Sequence, residues 1–267
     1  MAAVLNVTFH GVRGKAPAPG TITQRYGVNT ACVSVEVPKR EPIVFDMGTG
    51  LARWLTTVDP PPAQVHVLLT HRHPGHVGGR AALRDLQAGG ARVDVYGPPG
   101  GRQRPDDGEF RVIAVEDEEL AVGDAKVMVR GVDHGDVELG GPTNGYRVDW
   151  EGVSVAYVSD HQAPAGLDTV SQDVLELADR VDLLIHDAQH STEQWPDRAG
   201  DGHSTVDYAV LVAREAGAGC LALFHHDPGH DDDTVDRLLA GGRRTAERLG
   251  VDEVFAAAEG TTMSFDR

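Results

Sequence analysis

Three histidines lie within six residues of one another, directly after an apolar run. His71, His73 and His76 follow the segment 65–69, whose apolar composition is typical of a buried β-strand. Neutral imidazole is a preferred ligand for zinc and related metals, and a turn that leaves a rigid strand can bring such side chains to one point. A histidine-rich surface loop is the simpler alternative, but this density of histidine after a buried strand favours a metal-binding turn.

Other residues able to bind a metal also come at the ends of predicted strands. They are His134, Asp160, His186, Asp187, His225 and His226. Any one of them could be a core histidine or acid that hydrogen-bonds the backbone. Because all of them follow a strand, we expect them to meet at one edge of a sheet and to form a metal site with the histidine turn.

The elements that must position these residues are strands in the first two thirds and alternating helices and strands in the last third. Strands are predicted at 4–9, 31–37, 42–45, 65–69, 93–96, 110–115, 125–131, 143–148, 153–158, 181–185 and 220–224. Helices are predicted at 51–55, 81–86, 168–178, 205–216 and 233–248, and a Gly/Pro-rich loop at 98–108. Ser204 is the expected N-cap of the fourth helix. We expect a single α/β domain over 1–267.

Charge and composition narrow the classes of partner. Lys+Arg 24 against Asp+Glu 41 gives a net charge of −17, which disfavours a polyanion held by broad electrostatic attraction. Cys32 and Cys220 each adjoin an apolar run, so buried free thiols are expected. The first residues lack the basic start of a signal peptide, and no apolar run approaches the ~20 residues of a membrane span. A cytoplasmic location without membrane contact is expected.

Several short motifs are spread over nearly the whole chain. They are Gly11-Val12-Arg13-Gly14, the segment 25–30, Asp46-Met47-Gly48-Thr49-Gly50, Thr70 to His76, Ser159-Asp160, the segment 185–188, Gly202-His203-Ser204-Thr205 and the segment 223–228. Together they resemble the metallo-β-lactamase-fold hydrolases. The resemblance extends to the phosphodiesterase branch, which includes tRNA 3′-processing endonucleases and small cyclic-phosphate diesterases. It implies a four-layer αβ/βα sandwich, with two mixed β-sheets flanked by helices and the metals at one edge.

The same resemblance implies a role for each candidate residue. His71, His73 and His134 would hold a first metal, His76 and His225 a second, and Asp160 would bridge both. Asp46 would orient the histidine turn, and His203 would meet the leaving oxygen or the phosphoryl charge. One or two zinc ions are expected as cofactor, and manganese or iron would also suit these ligands.

One position departs from the family pattern. The family's turn reads His-x-His-x-Asp-His, and its Asp binds the second metal, whereas Gly75 stands here. The chain would then use one metal, bind a second more loosely, or have lost catalysis; His161 or Asp187 could substitute. Asp187 could equally support another ligand or cap a helix, and His226 is an alternative to His225.

The function that these features predict is metal-assisted hydrolysis of a phosphodiester by activated water. A small or cyclic phosphodiester is the expected substrate, and a large nucleic acid is not, because only 26 positions separate His134 from Asp160 and leave no room for the arm of the tRNA-processing relatives. Family analogy suggests a homodimer. The alternatives are a lactone, ester or thioester hydrolase of the same fold, or a non-catalytic protein that binds a metal or ligand, which Gly75 motivates.

Overall fold

A computed structural model describes residues 4–100, 110–135 and 141–266. Its strands form two sheets, each of seven strands within these residues. The strands of the first sheet are β1 (Val4–Gly11), β2 (Cys32–Glu36), β3 (Ile43–Phe45), β4 (Gln64–Leu68), β5 (Arg92–Gly97), β6 (Arg111–Ala114) and β14 (Thr262–Asp266). The strands of the second are β7 (Glu119–Val122), β8 (Ala125–Val132), β9 (Thr143–Trp150), β10 (Val153–Val158), β11 (Leu183–Asp187), β12 (Leu221–Phe224) and β13 (Val254–Ala256).

The two sheets repeat one pairing scheme. The first has the order β14-β1-β2-β3-β4-β5-β6, and the second β13-β12-β11-β10-β9-β8-β7. In each, strands near one end pair antiparallel and the others pair parallel, with the change at β3 in the first sheet and at β10 in the second. Parallel strands end at the same edge, so the residues that follow β4, β10, β11 and β12 can approach one another.

Helices cover the outer faces of the sheets. They are α1 (Gly50–Thr57), α2 (Pro74–Val77), α3 (Arg80–Ala88), α4 (Gln172–Ala178), α5 (Trp195–Arg198), α6 (Val206–Ala216) and α7 (Asp232–Leu249), and Thr21–Thr23 forms a 3-10 turn. No helix in the described ranges has the length and apolarity to cross a bilayer.

Three apolar clusters correspond to the three contacts between four layers. Phe45 and Tyr157 belong to the cluster between the sheets, where their rings stack with centroids 4.6 Å apart. Trp54 and Leu83 pack α1 and α3 against the outer face of the first sheet. Val210 belongs to the cluster that joins α4, α6 and α7 to the second sheet. The expected four-layer sandwich of two mixed sheets flanked by helices is therefore confirmed.

Each predicted strand and helix overlaps an observed element, but some elements were not predicted. These are the strands β7, β13 and β14 and the short helices α2 and α5. Most of the predicted 98–108 loop lies outside the described residues. Thr205, rather than Ser204, is the N-cap of α6, since its side chain accepts from Tyr208 N while Ser204 Oγ donates to His161 O. Cys32 and Cys220 are buried free thiols, as expected.

Candidate metal centre

The histidine turn is held by the loop that follows β3. Asp46 is fully buried with φ 57, in the left-handed region that Asp tolerates better than most residues. Its Oδ1 accepts from Thr70 N at 2.8 Å and from Thr70 Oγ1 at 2.9 Å. Met47 N donates to His76 O at 2.9 Å, and a Cβ at Gly79 would stand 2.0 Å from Gly48 O, so only glycine permits this approach. Both ends of the turn are therefore fixed before any metal binds.

Four ring nitrogens on the outer side of the site are tied to hydrogen-bond partners. His71 Nδ1 lies 3.1 Å from Thr70 Oγ1, His76 Nδ1 2.7 Å from Asp46 Oδ2, His134 Nδ1 2.6 Å from Gly202 O, and His225 Nδ1 3.2 Å from Gln189 Oε1. Each of these oxygens can accept the Nδ1 proton. That arrangement leaves Nε2 of each ring facing inward, which is the usual way in which a protein orients histidine ligands.

His71, His73 and His134 form a first group of metal-ligand candidates, and their inward-facing nitrogens are spaced as ligands of one metal would be. His71 Nε2 lies 2.9 Å from His73 Nδ1, and His134 Nε2 lies 3.2 Å from the same atom. Two neutral imidazoles whose outer nitrogens carry the protons have only lone pairs to turn toward each other, so a cation between them relieves the repulsion. Ligand atoms on one tetrahedral zinc would be about 3.3 Å apart, given bonds of about 2.0–2.1 Å. These residues fit a divalent metal.

His76 and His225 form a second group on the other side of Asp160, whose side chain is buried. Asp160 Oδ2 lies 3.2 Å from His76 Nε2, and its Oδ1 lies 3.1 Å from His225 Nε2. The same Oδ1 is 3.6 Å from His134 Nε2 and 3.9 Å from His71 Nε2. His225 Nε2 is buried and has no hydrogen-bond partner within the described residues. Asp160 therefore stands between the two groups, where a bridging carboxylate would have to be.

Burial and charge make most of these histidines ready to bind a metal. Burial lowers the pKa of His71 and of His225 well below the ordinary histidine value, and burial with nearby His134 lowers the pKa of His73 to about 4. His76 is the exception: burial opposes protonation, but the carboxylates of Asp160 and Asp46 outweigh it and raise its pKa to about 10. His76 must lose a proton when a metal takes its Nε2, so binding there should tighten as pH rises.

His203 lies beside the metal-ligand candidates and is held by a different carboxylate. Its Nδ1 is 2.7 Å from Asp187 Oδ2, and its ring centroid is 4.8 Å from that of His225 and 5.2 Å from that of His134. Burial opposes protonation of His203, but Asp187 raises its pKa. Asp187 also accepts from His161 N and Gln189 N. Of the two roles expected for Asp187, its contacts favour support of another site residue over capping a helix.

The geometry also separates the remaining alternatives. His226 Nε2 bonds Ala257 O, and its ring packs on Tyr26, whereas the His225 ring faces His76 and His203. His161 pairs its Nδ1 with His186 Nε2 at 3.1 Å instead of joining the second group. These contacts favour His225 as the ligand and do not make His161 a substitute for the missing acid.

The cavity above Gly75 is lined by Lys15, which the sequence analysis did not single out within its loop. This cavity of about 280 Å³ opens onto the site, and its walls include Lys15, His73, His134, Asp201 and His203. A Cβ built on Gly75 would lie 3.3 Å from the backbone oxygen of Lys15. Nothing in the local sequence connects Lys15 to a residue 60 positions later; only the tertiary structure brings them together.

Comparison with known proteins shows the family of this chain. Residues 42–226 match the model of the β-lactamase superfamily domain. The chain belongs to the β-lactamase superfamily. A ribonuclease Z of Thermococcus gammatolerans is 28% identical over 275 residues, covering 81% of this chain and 83% of that protein. The metallo-β-lactamase fold protein YhfI from Bacillus subtilis superposes with a TM-score of 0.77 at 20% identity, covering 98% of this chain and 100% of that one.

A third likeness is to the short form of human tRNase Z, with a TM-score of 0.68 at 19% identity, covering 97% of this chain and 98% of that one. Superfamily membership and these relatives make the chain a hydrolase of the metallo-β-lactamase fold with a site suited to divalent metal ions. The resemblance that the motifs carry, from the histidine turn to His225, is therefore confirmed for the superfamily.

The expectation that a small molecule is the partner, to the exclusion of a large nucleic acid, is wrong. Relatives that match along most of the chain are named ribonuclease Z, and one of similar fold is a tRNase. The net charge of −17 does not exclude a nucleic acid, because it sums over the whole surface, whereas binding depends on the charge of one face. One cleft of about 800 Å³ beside α6 and α7, for example, is lined by three arginines, Arg237, Arg244 and Arg248, against two acids, Glu193 and Asp207.

Proposed function

We propose that this hydrolase is a metal-dependent phosphodiesterase. In this proposal His71, His73, His134 and Asp160 hold one metal ion. His76, His225 and Asp160 hold a second with fewer protein ligands than the family pattern, because Gly75 offers none. The observation that carries the proposal is the inward-facing set of Nε2 atoms around one buried carboxylate, each fixed by an acceptor on its Nδ1. Zinc suits this donor set, and manganese or iron would be accepted by it.

Bound divalent metal would supply a nucleophile near neutral pH and neutralise charge on the phosphoryl group. The residues of the chain orient the substrate and move the proton. Asp187 accepts at His203 Nδ1, so Nε2 of that ring is the atom free to face the substrate. As the oxygen of the attacking water bonds to phosphorus and the phosphorus–oxygen bond to the leaving group breaks, that Nε2 donates its proton to the leaving oxygen, and the proton released by the water restores it. The raised pKa of His203 favours the protonated ring that this step requires.

The relatives named ribonuclease Z support a phosphodiester of RNA as one substrate to be tested. The cavity of about 280 Å³ can enclose the reacting phosphodiester group, while the rest of a longer substrate would lie outside it. The assay panel therefore contains a 3′-extended tRNA precursor, a 2′,3′-cyclic nucleotide and bis(p-nitrophenyl) phosphate. A lactone and p-nitrophenyl acetate represent the ester-hydrolase alternative.

The experiment combines hydrolysis of this panel with elemental analysis of purified protein. We expect bound divalent metal and turnover of at least one phosphodiester. His225→Gln should lose metal and activity, whereas the matched control His226→Gln should keep both, because His226 bonds the backbone of Ala257 instead of facing the site. Hydrolysis of the esters alone, or equal behaviour of the two variants, would contradict the proposal.

Gly75 favours one competing function, a non-catalytic protein that binds a metal or ligand. The backbone at Gly75 is compatible with a side chain, and its Cβ would need the Lys15 backbone to shift by only a few tenths of an ångström. The variant Gly75→Asp distinguishes an enzyme from a non-catalytic binding protein. A gain in metal affinity together with a gain in activity would indicate an enzyme with a weakened second site. A gain in affinity without any turnover would favour the binding protein.

A further inference from the structure

Lys15 occupies a fixed position above the second group of metal-ligand candidates. Gly14 N donates to His226 O at 3.0 Å, and His226 N donates to Val12 O at 3.0 Å, so the loop pairs with the backbone beside His225. A Cβ at Gly14 would stand 2.7 Å from the His225 ring, which shows how closely this loop approaches the ligand. The buried guanidinium of Arg13 donates to Gly27 O, Asp227 O and His230 O and anchors the loop further.

The other side of Lys15 rests on the residue that lacks the family's acid. Lys15 O, C and Cα would lie 3.3–3.4 Å from a Cβ on Gly75. The Gly14–Lys15 backbone thus runs from the His225 ring to Gly75, beside the group in which the second metal would lack a ligand. Compared with the His-x-His-x-Asp-His pattern, position 75 has lost a negative charge and lies against the backbone of a lysine.

The Lys15 side chain faces the cavity and remains available. It is the one Lys or Arg side chain among the described residues that line this cavity, and it is exposed to solvent. Within the described ranges it makes no ion pair closer than 4.0 Å, although Asp160 and Asp201 line the same cavity. The positive charge of Lys15 also lowers the pKa of His203, whereas Asp187 raises it.

We propose that Lys15 binds a non-bridging phosphoryl oxygen of the substrate on the Gly75 side of the cavity. The Lys15 ammonium is a compact charge with three donors on a flexible side chain. Such a group can bind a phosphate oxygen in the cavity from the loop that carries it. With glycine at position 75, that residue offers no carboxylate to pair with this ammonium. Lys15 would act in substrate binding and select anionic substrates over neutral esters. The inference deepens the proposed phosphodiesterase function and rests on it for the identity of the substrate.

The first test does not depend on turnover. The chain contains only three lysines, Lys15, Lys39 and Lys126, so acetylation by a small activated ester can be followed at each one by peptide mass spectrometry. We expect inorganic phosphate to slow the acetylation of Lys15 in metal-replete protein, while Lys39 and Lys126 serve as internal controls and react unchanged. Equal rates with and without phosphate at Lys15 would overturn the inference.

The second test uses variants with the metal content measured in parallel. Lys15→Gln should raise the KM for bis(p-nitrophenyl) phosphate and the inhibition constant of inorganic phosphate about tenfold, with a smaller change in kcat. Lys15→Arg should recover most of the binding, and Lys39→Gln should resemble the unaltered protein. If Lys15→Gln instead lowers metal content, or leaves KM unchanged in an active enzyme, Lys15 is not a phosphate-binding residue.

These tests separate failure of the inference from failure of the proposed function. Without any phosphodiesterase activity, phosphate protection of Lys15 would still support an anion-binding role for the lysine. With clear activity and no protection, the phosphodiesterase would stand and the role of Lys15 would fall.

Discussion

Replacing Asp46 by Asn should weaken metal binding at His76 while the fold remains intact. Asp46 Oδ2 accepts from His76 Nδ1 at 2.7 Å and from the Tyr157 hydroxyl at 2.9 Å. In the variant, the Asn side-chain oxygen must occupy the position of Oδ1, because Thr70 N donates a hydrogen bond to that position and an amide NH2 cannot accept one. The NH2 group then faces His76 Nδ1, which must become an acceptor. The His76 proton moves to Nε2, the atom that would bind the metal.

The expected magnitude follows from this change of tautomer. Loss of a supporting hydrogen bond to a histidine ligand typically costs 10–100-fold in metal affinity, or about 1.4–2.7 kcal/mol. The buried Tyr157 hydroxyl also loses its acceptor, which should lower the free energy of unfolding by about 1–3 kcal/mol. The left-handed backbone at Asp46 adds no penalty, since Asn tolerates φ 57 as well as Asp does.

The assay is a titration of metal-free protein with zinc against a chromophoric chelator, together with urea unfolding. The matched control is Asp94→Asn, which alters another buried carboxylate that pairs with Gln64 and Arg92 away from the metal centre. We expect weaker binding of one zinc in Asp46→Asn and unchanged zinc binding in the control. Unchanged affinity in Asp46→Asn would refute the idea that Asp46 sets the His76 tautomer, and so would an equal loss at both zinc sites.

Four further outcomes follow from other contacts. Burial, with a smaller effect of Arg53, lowers the pKa of His10 to about 4, so the folded state binds this proton less readily than the unfolded state and loses stability as pH falls from about 6.5 towards 4. In His10→Gln, urea unfolding should show about 1 kcal/mol less loss between pH 7.5 and 5.5 than in the unaltered protein. In α7, Gly241→Ala should raise the unfolding free energy by up to about 1 kcal/mol, since its Cβ would have only one ordinary contact, at 3.7 Å. Gly242→Ala should lower the unfolding free energy in the same assay, because its Cβ would stand 2.6 Å from a methyl carbon of α6. Asp187→Asn removes the charge that raises the pKa of His203, so the alkaline limb of a kcat/KM profile should move to lower pH; an unmoved limb would exclude His203 as the proton donor.

Burial decided which strands could be predicted from the sequence. The residues of β10 and β12 are all buried, and a run of apolar side chains identifies such strands. β14 lies at a sheet edge with alternate residues exposed, and β13 has only three residues. β7 is also at an edge, and only one of its four residues is buried. Edge strands depend on the partner that they pair with, which a single sequence does not show, although β6, an edge strand without a buried residue, was predicted.

The residues of the candidate site also differ in how far the sequence could predict them. The histidine turn could be predicted because its residues lie together in sequence and directly follow a buried strand. Asp160 and His225 could be placed near it because each also follows a parallel strand of the second sheet. Gln189 and the backbone oxygen of Gly202, which orient His225 and His134, carry no signal of their own. Within the loop 13–20, which could contribute to substrate orientation or form only a structural hairpin, Lys15 was not singled out, because loop positions are fixed by tertiary contacts such as that with Gly75.

The metal centre and the interface between the two sheets depend on the same contacts. Asp46 follows β3 of the first sheet and accepts a hydrogen bond from Tyr157 of β10 in the second. The ring of Phe45 stacks on that tyrosine. The histidine turn comes from the first sheet, whereas His134, Asp160 and His225 come from the second. A metal bound by both sets would cross-link the sheets, so its binding free energy would add to the stability of the folded chain. Substitutions between the sheets should therefore alter metal affinity even where they touch no ligand.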